Sequence, residues 1–445
     1  MAGSPLSAAT PTATQSAGCV VYWFRRDLRL DDNPAWCAAM AHCQRTGSTL
    51  LPIVVELAPE VQALGGGIPR GAAVQDWVEQ CHRALAQSLQ AMGSQLWRVP
   101  DIASLAQLAR TLPMASLYAE DIALPYEQAE QQELARAFGD RATFVWQSTL
   151  FNEDELPFPI TGLPQVFTSF RQKIEHAGLR AHPPCAAPRH IPPVPPESVL
   201  TLHAERVAAS VRPVSRDPRS SIAPDRQAGE IGAQRHWQTY LSQGLPHSYF
   251  ETRNQLSGHH FSSQLSLDLA WGSLSVRRAM HRLDEFEATH GRTKSSYWLW
   301  FECMWREHFR WLARGHGQRL FHARGLSQNA PLPRASVSDW ERWTRGETGQ
   351  PLIDAGMHEL AVTGYLSNRM RQIVASYWLN DMGGDWRNGA AWFESQLIDE
   401  DPYSNTGNWL YIAGLGTDPR GGRRFDPDKQ AREHDPEGTY RRLWA

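Results

Sequence analysis

The sequence predicts an α/β domain, a parallel sheet with helices on both faces, joined by a long connector to an all-α domain. Three observations lead there. Short apolar runs alternate with helical patterns through the first third of the chain, a proline-rich stretch without periodicity follows, and from about residue 226 the pattern is helical to the end. Alternating strands and helices imply a parallel sheet covered by helices.

The elements follow in order. "CVVYWF", "TLLPIVVE", "QLWRV", "SLYAE" and "TFVWQ" read as strands, with helical patterns over 34–45, 71–92, 102–112 and 127–138 between them. The first strand runs into "RRDLRLDDNP", which has neither a G-x-G-x-x-G nor a Walker pattern, and "GGG" at 65–67 reads as a flexible loop. The carboxyl ends of such strands still make a crevice for a small ligand. Residues 181–218 hold nine prolines and read as a connector crossing a surface. Helical patterns then cover 275–289, 295–314, 351–362, 366–381 and 385–400. The expected division is 19–150, 151–225 and 226–445.

A chain of 445 residues has room for two or three domains with full cores. The net charge of -3 excludes a global cationic field but allows a local basic groove. Six cysteines without C-x-x-C or zinc spacing suit a reducing cytosol and argue against a structural metal. The absence of a membrane-length apolar run adds to the expectation of a cytoplasmic protein. The opening "MAGSPLSAATPTATQSAG" reads as a disordered leader. Of 18 tryptophans, 12 lie at or after Trp271, which fits a large aromatic core or a site for a flat ligand.

Four stretches carry chemistry. In "GYLSNRMRQIVASYWLND", Asn368, Arg371 and Gln372 share one face of an otherwise apolar helix, and such a face needs an anionic or hydrogen-bonding partner. In "SSYWLWFECMWREHFRW", Glu302 shares a face with Trp298 and Trp305. It is either an i,i+4 partner of Arg306 or a desolvated carboxyl with a raised pKa. Ser262, Ser263 and Ser266 precede a helix-like run and suit either a phosphate or a simple N-cap. "LIDEDPYSNTGNWLY" puts Asp399, Asp401 and Asn405 in a loop. A metal there has weak support, and pairing of Asp399 with Arg371, functional or structural, is the better physical match.

Together these segments resemble the photolyase/cryptochrome family, most closely its DASH branch. The resemblance runs from "WFRRDLRLDDNPA" through "LPFPITGLPQVFTSFRQKIE", "YFETRNQLSGHHFSSQLS", "YWLWFECMWREHF" and "GETGQPLIDAGMHELAVTGYLSNRMRQIVASY" to "DWRNGAAWFESQLIDEDPYSNTGNWLYIAGLGTDPR". It implies non-covalent FAD in the helical domain. Tyr249, Ser262, Ser263, Leu265 and Ser266 match the phosphate-side run, Arg371 and Asp399 the pair beside the isoalloxazine, Asp401 a flavin or ribityl contact, and Asn405 the residue facing N5. Arg306 is placed with these cofactor-binding residues.

The same resemblance implies blue-light repair of cyclobutane pyrimidine dimers, preferentially in single-stranded DNA. The alternatives are a non-repairing blue-light photoreceptor, or a flavoprotein that binds DNA or RNA without turnover. Trp305 and Tyr411 match aromatic walls for the flipped-out dimer, and Glu302 matches the acid bonded to it. Asn368, Arg369 and Gln372 are expected to line the substrate cavity. Trp409, Trp386 and Trp343 match an electron relay, inner to outer. Glu127 matches a carboxylate holding the pterin of a folate antenna, 5,10-methenyltetrahydrofolate. A monomer without a metal is expected. Departures from the family pattern are Leu267 and Asp268 beside the proposed phosphate site, Gly356, Tyr365 and Glu400.

Overall fold

The computed structural model describes residues 18–112, 114–196, 204–212, 216–328, 332–416 and 421–445. The leader up to residue 17 and two parts of the connector (197–203 and 213–215) lie outside the described residues.

The strands are β1 (Cys19–Phe24), β2 (Thr49–Val55), β3 (Glu60–Ala63), β4 (Gly66–Pro69), β5 (Trp97–Val99), β6 (Ser116–Glu120), β7 (Ala142–Val145) and β8 (Glu205–Arg206). Six of them form one sheet in the order β7-β6-β1-β2-β5-β8. Its pairings are parallel except for β8, which runs antiparallel to β5 at the edge. All six residues of β1 are buried, as expected of a central strand covered on both faces. Its side chains alternate between two cores. Val20, Tyr22 and Phe24 pack with Trp36 and Trp77, from the helices Pro34–Thr46 and Ala72–Ala91. Val21 and Trp23 pack with Leu105 and Leu134, from the helices Ile102–Thr111 and Pro125–Phe138.

The "GGG" stretch differs from its reading as a flexible loop. Residues 60–69 form the antiparallel hairpin β3–β4, with Gly65 in the turn and Ala63 paired to Gly66. The connector is likewise partly structured, since it supplies the helix Phe167–His176 and the edge strand β8.

The helical half is built around Lys294–His316, a helix of 23 residues, about 34 Å long at the usual rise. Thr293 and Ser296 cap it reciprocally. Its apolar residues face two cores: Leu299, Trp300, Met304 and Trp311 one, Phe309 and Leu312 the other. A helix apolar on most sides must be buried in this way. Around the second core lie Val337–Arg345, Pro351–Thr363, Asn368–Ser376, Trp386–Gln396 and Pro402–Ala413. The predicted 366–381 helix is α only over Asn368–Ser376, capped by Ser367, and relaxes to a π turn over Tyr377–Asp381. No helix among the described residues is long and apolar enough to cross a membrane.

The "RRDLRLDDNP" stretch buckles the two halves together. Leu28 N–H donates to the Trp271 carbonyl at 3.1 Å, and Arg29 Nη1 to that of Gly272 at 3.0 Å. Asp31 pairs with Arg278 at 2.7 Å, Asp32 with Arg277 at 3.0 Å, and Arg26 with Glu400 at 2.8 Å. Gly272 is required where the halves meet. Its φ is +67°, and a Cβ would lie 1.9 Å from the Arg26 carbonyl oxygen.

Gly272→Ala should therefore cost roughly 2 kcal/mol or more, by backbone strain and by forcing the buckle apart. The check is a calorimetric melt beside Gly47→Ala, also at positive φ but with nothing within 4 Å of its Cβ. Equal losses in the two variants would remove the close approach as the cause.

Candidate functional site

A cavity of about 460 Å³ opens among the C-terminal helices, within the size range of cofactor sites. Tyr249, Ser262, Ser263, Leu265, Ser266, Glu302, Trp305, Arg306, Asn368, Arg371, Gln372, Asp399, Asp401, Asn405, Trp409 and Tyr411 all line it. Residues up to 162 positions apart in the chain thus converge on one space.

Arg371 and Asp399 form part of its wall. Both Asp399 carboxylate oxygens accept from Arg371 Nη2, at 2.9 and 2.8 Å, and Arg371 Nε donates to the Leu366 carbonyl. Arg371 Nη1 is left without a protein acceptor among the described residues. The Asp399 side chain is wholly buried. The pairing derived from sequence is present, and the arginine keeps a donor for whatever enters. Tyr365 lies against the same guanidinium, with its ring centroid 5.3 Å from Cζ, and its hydroxyl meets Ser262. Gly356 is the contact point between the helices Pro351–Thr363 and Asn368–Ser376, where a Cβ would fall 2.5 Å from Met370.

Asn405 lies inside the helix Pro402–Ala413 and not in a loop, while Asp401 ends the loop before it. Asp401 is the N-cap of Pro402–Ala413, its side chain accepting from Ser404 N–H at 2.8 Å, and Pro402 takes the first helical position. Burial would raise the Asp401 pKa, but the Arg310 and Arg306 charges and the hydrogen bonds from Arg310 and Ser404 hold it well below the usual carboxylate range. Asn405 donates Nδ2–H to the Ala390 carbonyl at 2.9 Å, which leaves Oδ1 as its free acceptor. Arg306 donates to the Ser148 carbonyl at 2.8 Å, while its Nε is buried without an acceptor. Burial and the neighbouring Arg310 charge push its pKa down to about 10. A guanidinium so placed beside a cavity is short of anionic or carbonyl partners.

Glu302 does not pair with Arg306. Its Oε1 accepts from Trp298 Nε1 at 3.0 Å and from Arg253, which reaches in from 49 residues upstream. Oε2 has no protein partner among the described residues. Burial raises the Glu302 pKa, against Arg253 and the Trp298 bond. Trp305 stacks on Phe167 of the connector helix, centroids 3.7 Å apart at 12°, and meets Tyr411 edge-on at 5.4 Å. Tyr411 is itself held by Arg423 Nε at 3.0 Å. Neither Arg253 nor Phe167 was singled out from the sequence, since no spacing rule links such distant positions.

Other expectations need correction. Arg369 does not line the cavity; it bonds Asn254 at 2.9 Å and lies over Phe425. Ser266 sits inside the short helix Leu265–Ala270 instead of before it. Asp268 neither faces the cavity nor caps the following helix, because Arg226 grips both its oxygens in a buried pair. Glu400 lines the cavity and is pushed up to about 8 by burial, against the Arg26 charge. Glu127 lies elsewhere, in the first turn of the helix after β6. Trp409 borders the cavity and meets Trp343 edge-on at 6.4 Å. Among the described residues Trp386 shares no ring contact with either; its indole donates to the Ala323 carbonyl.

Comparisons with known proteins converge on one family. Residues 20–190 match the DNA photolyase model, and residues 298–445 match the FAD binding domain of DNA photolyase. Cryptochrome DASH of Vibrio parahaemolyticus is 36% identical over 95% of this chain and 92% of its own length. Cryptochrome DASH of Synechocystis is 36% identical, with 96% and 87% covered. Among solved structures, the Synechocystis cryptochrome superposes with a TM-score of 0.86 at 34% identity, covering 97% of this chain and 89% of that one. The class III photolyase of Agrobacterium tumefaciens gives 0.72 at 27% identity, covering 98% and 88%.

Arg371→Ala would leave the Asp399 charge buried without its partner, and should cost roughly 3–5 kcal/mol of stability. The double variant with Asp399→Asn should recover a large part of that loss in urea melts. A double variant no better than Arg371→Ala would place the cost elsewhere.

Proposed function

The chain belongs to the photolyase/cryptochrome family and is a photolyase-type flavoprotein, and we propose that it repairs cyclobutane pyrimidine dimers under blue light, preferentially in single-stranded DNA. The observation that carries this reading is the free Oε2 of Glu302, held at the cavity beside Trp305 and Tyr411. The donor set fits FAD. Arg306 Nε lacks an acceptor, Arg371 keeps Nη1 free, Asn405 keeps an acceptor, and Ser262, Ser263 and Ser266 also line the cavity. FAD, when bound and reduced, supplies a light-driven one-electron donation.

The residues of the chain do the rest. Arg371 holds negative charge on the flavin side, and the bond from Asn405 Nδ2–H to Ala390 keeps its amide oxygen fixed as an acceptor. Trp305, backed by Phe167, gives a flat wall for an unstacked base, and Tyr411 gives a second at a steep angle. Taking the lesion out of a stack costs a few kcal/mol, less in a single strand, which favours that substrate. Arg253 and Trp298 hold the Glu302 carboxyl so that Oε2 faces the lesion, with Asn368 and Gln372 alongside. The same reading puts a folate antenna at Glu127, supported by its position just beyond the carboxyl end of β6.

Glu302→Ala should lower dimer repair per absorbed photon while FAD content is kept, since the bond strengthens as charge develops on the lesion. The assay is illumination of equal amounts of reduced holoprotein with dimer-containing single- and double-stranded oligonucleotides. Equal yields from wild type and variant would remove Glu302 from the chemistry. Tight binding of DNA or RNA with no light-dependent product from the wild type would replace repair by sensing or simple binding.

A further inference from the structure

The six cysteines divide into two groups. Cys19, Cys43, Cys81 and Cys303 are buried, and burial pushes their thiols up, Cys19 to about 11 and the other three to about 12. Cys37 and Cys185 are half-buried, with their sulfurs 3.8 Å apart, although 148 positions separate them in the chain. No spacing rule of the C-x-x-C kind reaches that far. Cys37 sits in the first turn of the helix Pro34–Thr46, its N–H bonded to the Asn33 carbonyl at 2.9 Å. Cys185 belongs to the connector, and Asp32 holds both its backbone groups. The Cys185 N–H donates to Asp32 Oδ1 at 2.8 Å, and the Cys185 carbonyl accepts from the Asp32 N–H at 3.1 Å. Asp32 is the residue that pairs with Arg277 across the buckle. The connector is tied a second time where the Ala181 carbonyl meets His281 Nε2 at 3.2 Å. The two thiols thus face each other at the joint of the helix, the connector and the C-terminal half.

We propose that Cys37 and Cys185 are a peroxide-reactive dithiol that closes reversibly to a disulfide and ties the helix Pro34–Thr46 to the connector beside the buckle. The inference stands apart from the flavin reading. Surroundings divide the work between the two thiols. The hydrogen bond from the Cys185 S–H lowers the Cys37 pKa, against burial and the Asp32 and Asp31 charges; the same bond, with burial, raises that of Cys185. The thiolate is the nucleophile, and a helix start favours it. The Cys37 thiolate attacks one oxygen of hydrogen peroxide. The S–O bond forms, the O–O bond breaks, and hydroxide leaves as water with the proton that Cys37 had released, giving a sulfenic acid. The Cys185 sulfur then attacks the sulfenic sulfur. The S–S bond forms, the S–O bond breaks, and the hydroxide leaves as water with the Cys185 proton. Two thiols lose two electrons, and peroxide becomes two waters. The sulfurs must close to about 2 Å, so rotation of the side chains accompanies the step. A dithiol reductant reverses it by exchange through a mixed disulfide. Most of the first domain lies between the two cysteines, so the bridge closes a long loop and restricts the unfolded chain.

The test treats purified holoprotein in the dark with hydrogen peroxide and then with dithiothreitol, comparing wild type with C37S and C185S. The readouts are the free-thiol count of the unfolded chain, tryptic mapping without reduction, and the melting temperature. Wild type should lose two of its six thiols and yield peptide 30–45 joined to peptide 181–189, with fragment ions placing the link at Cys37 and not at Cys43. Dithiothreitol should restore both thiols. Oxidation should raise the melting temperature of wild type by several degrees and leave that of both variants in place. In C185S, Cys37 should stop as a sulfenic acid that dimedone traps, and in C37S, Cys185 should stay a free thiol. Retention of all six thiols in wild type, sulfinic acid at Cys37 beside a free Cys185, or a link through another cysteine or between chains overturns the dithiol. A bridge that forms without the upward shift in melting overturns the tie across the joint.

Discussion

Arg371 and Asp399 supply the constraint around which the cavity is built. The carboxylate is fully buried and takes both its hydrogen bonds from one guanidinium nitrogen. Burying such a pair costs several kcal/mol of desolvation per ion, so it gains little stability over an apolar pair. What it gives is position. Asp399 follows the helix Trp386–Gln396 and Arg371 sits on Asn368–Ser376, so two elements are locked in one register beside an open space. With Nε on the Leu366 carbonyl as well, the guanidinium plane cannot turn, and its remaining N–H groups face a fixed direction. Asp401 repeats the device two residues on, where Arg310 and the first turn of Pro402–Ala413 occupy the carboxylate.

The buckle between the halves serves the same geometry from outside. Arg26 pairs with Glu400, between the two aspartates, and lies over the Trp271 ring at 4.4 Å, while the Trp271 indole donates to the Ile398 carbonyl at 2.8 Å. The 398–401 segment is thus held from the N-terminal domain as well as from within its own. Where strand β1 ends, a parallel sheet would ordinarily offer a ligand crevice. Here the residues that follow β1 are arginines and aspartates bonded across the interface.

What was legible in the sequence follows from the range of the physics involved. β1 could be read because burial on both faces leaves a continuous apolar run, and the Ser275 and Asp385 helix starts because caps act over three residues. The Arg371–Asp399 pair was legible because an arginine on an apolar helix face demands an anion. The hairpin β3–β4 was not, since short, mostly exposed strands carry no apolar alternation. The Asp401–Pro402 helix start is a local signal of the same kind, a capping aspartate before a first-turn proline. Arg253 on Glu302, Phe167 on Trp305 and Arg226 on Asp268 had no local trace at all. Each partner arrives from 42 residues away or more, and only packing decides which charge finds which.

The order of the tryptophans belongs to that last class, and the backbone explains why it holds. Rings can meet only where the chain makes room for them, and here glycine makes it. A Cβ on Gly389 would sit 2.2 Å from the Trp409 ring, and one on Gly384 would sit 1.9 Å from Trp378. Gly389 lies inside the helix Trp386–Gln396, where glycine costs about 1 kcal/mol relative to alanine. That cost is offset by aromatic rings that bury large areas against one another. The dense packing of the core and the ring-to-ring continuity are therefore one property. Any change that loosens the packing around Trp409 also lengthens the gap to Trp343, and motif order along the chain cannot reveal which neighbour closes that gap.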